Sequence, residues 1–275
     1  MATIAEGLSG NQSRPDVLSG TPRAHAIDRW IFVFMAAWFI AIVLTGFIPD
    51  SIMKVGMVGA GARPPFPPVM HIHAALMGSF LVLLLAQTWL MATGRRGLHM
   101  QLGVAGMVLA AALVVVGFVL APTMYYQTWN ALPTAPPEAR SQLLGLLSFK
   151  ENILLPQIRI GILFPLFLII GLRARGSNAG LHKRMMILAT AIPLPAAIDR
   201  MAWLPTTLPA NLIATDLYTI LAVSPMFVWD VVRNRRVHPA YWIWLAVFVP
   251  ASIFVNSLWD TPGWHVAARQ IMGVG

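Results

Sequence analysis

Of 275 residues, 57% are hydrophobic and 11% charged, against roughly a quarter charged in an ordinary soluble domain, so the chain reads as an all-α polytopic membrane protein. It contains no cysteine, which excludes disulfides, thiolate metal ligands, cysteine nucleophiles and haem attachment through CxxCH. The formal net charge of +9 sits largely in short loops between apolar segments rather than on a basic soluble surface, and this argues against nucleic-acid binding.

The first thirty residues are polar and rich in Gly, Ser and Pro, without the basic stretch, apolar core and small-residue cleavage site of a secretory signal. Residues 1–29 therefore read as a disordered tail. About twenty apolar residues cross a bilayer core, and seven segments approach that length: 30–48, 70–92, 99–121, 153–172, 182–198, 211–231 and 240–258. Together they make a bundle over 30–260, followed by a short tail over 261–275. The fourth carries Arg159, Pro156 and Pro165, the fifth is short and contains "IPLP", and the sixth contains Asp216 and Pro225. These prolines point to broken helices, which often line binding sites, so the second half of the chain is the expected working region. "SQLLGLLSFKEN", 141–152, is too short to span and reads as an interfacial helix leading into the fourth span. Span three carries Gly103, Gly106, Ala110 and Gly117, a small-residue face suited to close packing, and is expected near the centre. Most of the tryptophans lie at span ends, as an interfacial belt requires.

Charge sets the orientation. Arg95, Arg96, Arg173, Arg175, Lys183, Arg184, Arg233, Arg235 and Arg236 all fall in alternate loops, whereas the opposite loops sum close to zero. The positive-inside rule then places the N-terminus in the cytoplasm and the C-terminus outside, in a multi-pass membrane protein.

Two helix junctions look alike. One is "GRRGLHMQLG" around His99 and the other "RARGSNAGLHKRMM" around His182, each an Arg/Gly turn followed by Gly-Leu-His opening the next span. With His73 near the start of span two, Gln87 near its far end, "LHMQLG" at 98–103 and "LHKRMM" at 181–186, about a third of the chain resembles a large, poorly characterised group of bacterial multi-helix membrane proteins, themselves distantly similar to b561-type cytochromes. That resemblance implies b-type haem held by histidines on facing helices. His99 and His182 would then be the axial ligands near the cytoplasmic surface, with His73 and Arg159 meeting a quinone or a haem propionate on the outer side.

Depth gathers a second set of residues. His71, His73, Gln157, Arg159, Asp199, Arg200, Asp216, Asn256 and Asp260 fall in one outer layer, and ionisable residues inside a membrane are functional candidates by default. His71 and His73 point about 200° apart around a helix, so only one faces inward. Gln87 lies within about 40° of His73 but roughly 21 Å deeper, marking the same inward stripe. The structural alternative makes Arg159 the counter-charge of Asp199 or Asp216.

Four functional classes stay open. An electron carrier with haem or quinone, served by a redox partner protein, is the first. A zinc hydrolase using His73, Asp216, Asp260 and His265, with His71 as a substitute for His73, is the second; in topology it resembles the progestin and adipoQ receptor and alkaline ceramidase superfamily. A transporter built on Arg159, Asp199 and Asp216 and a structural subunit complete the set.

Overall fold

A computed structural model describes residues 26–275, and among them the secondary structure is entirely helical. The elements are α1 (Ala26–Gly59), α2 (Pro68–Ala92), α3 (Arg96–Trp129), α4 (Pro137–Ala174), α5 (Ala179–Ala191), α6 (Pro195–Ile198), α7 (Ile213–Asn234), α8 (Pro239–Leu258) and α9 (Pro262–Ile271). Six of them, α1, α2, α3, α4, α7 and α8, are long and apolar enough to cross a membrane. Residues 1–25 of the expected tail lie outside the described residues, while 26–29 already belong to α1. Asp28 is buried and accepts hydrogen bonds from Arg233 Nε and Nη2 at 3.0 and 2.9 Å and from Trp229 Nε1 at 3.0 Å, so the chain is anchored from its first described turn.

Pro67 leads into α2 with an extended backbone, and Pro68 occupies the first helical turn, where a missing N–H costs little. α4 runs unbroken through Pro156 and Pro165 for 38 residues, which merges the expected interfacial helix 141–152 with the fourth span. Pro225 leaves α7 continuous as well. The proline break falls in the fifth segment alone. There Ile192 N donates to the Ala189 carbonyl, a tightened 3₁₀-type turn, and the Leu188 carbonyl accepts instead from the indole Nε1 of buried Trp244 at 3.1 Å. A side chain of α8 thus satisfies an acceptor next to the break, as a buried carbonyl requires.

The core lies around α5 and α6 with α1, α4, α7 and α8 packed about them. Met185, Ile187, Leu188, Ala189 and Ala191 have no exposed surface. α1 reaches α6 through Gly46, where a Cβ would stand 2.1 Å from the Ala197 carbonyl oxygen; only glycine allows that approach. The expectation that α3 is central is corrected: 11% of its apolar window is buried and 17% of that of α2, against 44% for α1 and α4. Its glycines serve local packing, Gly106 against Leu83 of α2, while a Cβ on Gly117 would meet nothing within 4 Å. Small residues let helices approach but do not dictate on which side the core lies.

The segment expected as an outer tail contains α9, docked on α4 with Trp264 and Ala268 buried. Thr261 caps it, its hydroxyl accepting from Trp264 N at 3.2 Å.

Candidate functional site

Most of the expected site residues fall in three polar clusters. The first is the histidine pair at the end of the bundle bearing the two repeated junctions. His99 opens α3 and His182 opens α5, and their rings face each other with centroids 6.5 Å apart and planes at 81°. No close helix-on-helix packing joins α3 to α5, so the two elements meet through these side chains. His182 is oriented by the end of α4: Arg175 N bonds the Leu172 carbonyl rather than that of Gly171, and the Gly171 carbonyl lies 2.8 Å from His182 Nδ1. With Nδ1–H donating there, Nε2 is free to act as a ligand, an arrangement common to metal-bound imidazoles. His99 lies against the backbone of Gln87, outside strict hydrogen-bond geometry, and its Nδ1 is buried without a partner. The side-chain amide of Gln87 reaches over to Gly103, and its buried Oε1 also lacks a partner.

The second cluster lies along α7. Arg159 meets Asp216 through Nη1 at 2.9 Å and Nη2 at 2.6 Å, a bidentate pair with both residues buried. Nη1 also donates to Ser252 Oγ at 2.7 Å, and the guanidinium lies over Phe248 with 5.4 Å to the ring centroid. Asn256 Nδ2 stands 3.4 Å from Asp216, while its Oδ1 accepts from Leu212 N at the start of α7. This is the counter-charge alternative with Asp216 as the partner; Asp199 pairs with Arg200 instead, at 2.7 Å. Fourteen residues further along α7, Asp230 receives Arg184 Nε at 2.6 Å and Nη2 at 2.8 Å and Tyr241 Oη at 2.6 Å, with both charged residues fully buried. The sequence reading counted Arg184 only among the basic loop residues and passed over Asp230. A signal was available, because a spacing of fourteen places Asp230 within about 40° of Asp216 on the same helix face.

The third cluster holds α9 in place. Buried Glu151 accepts from Arg269 Nε at 2.8 Å and Tyr125 Oη at 3.3 Å, and its Oε2 lies 2.6 Å from His265 Nδ1. His265 Nε2 lies 3.1 Å from Asp260 Oδ1. Asn152 clamps Asp260 twice at 3.0 Å, donating to the carboxylate and accepting from the backbone N–H. These bonds, Asn152 first and then His265, hold the Asp260 carboxyl below its ordinary range, and Glu151 raises Arg269 above its own. Glu151 was missed in the sequence. His265 and Arg269 are four apart and so share the helix face that meets it.

Of the expected zinc ligands, Asp260 and His265 come together, Asp216 is taken by Arg159, and His73 is hydrogen-bonded to none of them, its Nδ1 buried without a partner. Among the described residues no three His, Cys, Asp or Glu side chains gather as a metal cluster. Arg159 and His73, expected together at a quinone or propionate, share no hydrogen bond.

No protein-family model matches the chain, and no curated protein or solved structure is detectably similar to it.

Proposed function

We propose that this is a seven-span electron-transfer protein of the bacterial inner membrane, with b-type haem held between His99 and His182 near the cytoplasmic face. The seventh span is the α5–α6 segment, whose twenty residues from Ala179 to Ile198 form continuous turns through the proline break. Counting it restores the alternation of basic loops that puts the N-terminus inside and the C-terminus outside.

The observation that carries the reading is the close approach of two imidazoles from separate helices. His99 and His182 would hold the group between them, their ring centroids standing 6.5 Å apart. The Gly171 carbonyl at His182 Nδ1 and the unpartnered His99 Nδ1 are consistent with rings prepared as ligands. The group, when bound, supplies reversible one-electron chemistry. The chain's own residues orient the two rings, with Arg96 and Arg175 near enough to act electrostatically on them. A cation there suits a carboxylate-bearing group and a negatively charged partner surface.

An absorption spectrum of the purified protein tests this directly. A Soret band is expected, lost in H99A and in H182A and retained in H71A. A colourless wild-type protein that takes up no haem on reconstitution overturns the reading. The outer Arg159–Asp216 pair then stands by itself as a helix lock, and the structural-subunit class becomes the better account.

A further inference from the structure

We infer that the outer cavity beside the α8–α9 turn binds a small amine as its ammonium ion, with Asp260 as the charged anchor and Phe149 as an aromatic wall. The cavity, a depression open to solvent with a volume of about 280 Å³, is lined by Ser148, Phe149, Asn152, Pro209, Ala210 and Asp260, together with one glycine. Asp260 is the only charged residue on that lining; no lysine or arginine shares it. The wall therefore offers one fixed negative charge, one aromatic ring and one hydroxyl, a combination suited to a cation carrying N–H or N–CH groups.

Asp260 is prepared for this before any ligand arrives. Its backbone adopts φ 58°, a left-handed conformation tolerated by aspartate more readily than by most residues, and Asn152 holds both its N–H and its Oδ1. His265 also approaches Oδ1, at 3.1 Å. Oδ2 accepts no hydrogen bond and the side chain is 68% exposed. One oxygen thus fixes the carboxylate while the other faces outward for an incoming donor. The same contacts keep the group ionised well into the acid range. Little ordering is left to be done on binding, which favours affinity for a small ligand. Behind it Glu151 is met by Arg269 at 2.8 Å and by His265 at 2.6 Å, and His265 also reaches Asp260 Oδ1, so it is Oδ2 of Asp260 that is left open for a ligand. The site stands independently of the histidine pair.

Isothermal titration of the detergent-purified full chain with ethanolamine, a cation at neutral pH, tests the assignment. Saturable binding is expected, at least tenfold weaker in D260N, several-fold weaker in F149L, and reduced by added salt. Ala210→Arg, which sets a cation on the same wall, is expected to abolish it while leaving the melting temperature unchanged, and so keeps the test decisive if D260N does not fold. Equal binding of neutral ethylene glycol, tighter binding of inorganic phosphate, no binding of ethanolamine, or wild-type affinity in both D260N and A210R overturns the inference. Nanodiscs separate the sources of the amine. Competition by phosphatidylethanolamine, absent in phosphatidylglycerol discs, supports a lipid headgroup as occupant, and equal affinity in both discs supports a free amine.

Discussion

The two hairpins that carry the repeated Gly-Leu-His junction share a sequence pattern and differ in nearly everything else. α2–α3 sits at the edge, with 17% and 11% of its apolar windows buried, and its polar atoms at His73, Gln87 and His99 include three that are buried without partners. α4–α5 forms the centre, where Arg159, Arg184 and Trp244 find complementary groups from α7, α8 and the proline break. In a bilayer, apolar surface provides little drive for helices to associate, so packing and polar contacts decide which elements cohere. The centre of the bundle is therefore tied by buried ion pairs that, among the described residues, the edge hairpin lacks, and the histidine pair joins one to the other.

Breaking the lock should show this most strongly. Asp230→Ala leaves Arg184 charged and buried, and a loss of about 3–5 kcal/mol is expected, read as a collapse of the melting temperature or of folded yield in detergent. If D230A melts within a degree or two of wild type, the central lock is not what holds the bundle. Paired glycine substitutions sharpen the contrast between the regions. Gly46→Ala drives a methyl into the Ala197 carbonyl and should cost about 1–3 kcal/mol, whereas Gly103→Ala, whose Cβ would come no closer than 3.8 Å to Gln87, should be near neutral. Similar melting temperatures for the two would remove the distinction between centre and edge.

Trp244→Phe keeps a ring on Phe248, at 4.5 Å between centroids in the native pair, but removes the donor to Leu188 and part of a buried ring, so about 2–4 kcal/mol is expected from the orphaned carbonyl and the void together. Lys54→Ala, at the exposed end of α1 where Lys54 and Asp50 pair at 2.7 Å, should change stability by no more than about 0.5 kcal/mol. Acid should act on the α9 dock through Asp260. Because its folded pKa lies below the unfolded value, its contribution is present above the unfolded pKa and lost as pH falls through the folded one. Hydrogen exchange in α9 should accelerate in that acid range in wild type and be less sensitive there in D260N.

What could be read in the sequence follows from which forces act locally. Hydrophobic runs fixed the existence of the long helices, and the repeated junction was enough to pair His99 with His182 because both lie at the same kind of turn. Arg159 with Asp216 was legible as one of two options, since depth alone allowed Asp199 as well. The rest depended on rotation of each helix about its axis. Gly103, Gly106 and Gly117 suggested a central α3, yet lipid on the far side of a helix is as apolar as the core, so no hydrophobic signal distinguishes the two. Pro156 and Pro165 looked like breaks, but α4 carries them without interruption, and only the clustered Pro193 and Pro195 coincide with a break. Glu151 was hidden because its partners, His265 and Arg269, are more than a hundred residues away.

The placement of Asp216 and Asp230 on one stripe of α7 has a mechanical consequence. Fourteen residues apart, they pin that helix at two points about 21 Å from one another along its axis, one to α4 and one to α5. A helix held by two dowels can neither slide nor turn without withdrawing a buried charge from its socket. Among the described residues the α2–α3 leaf carries no such pair of dowels, and its position rests on packing and on hydrogen bonds such as that from Tyr125 to Glu151.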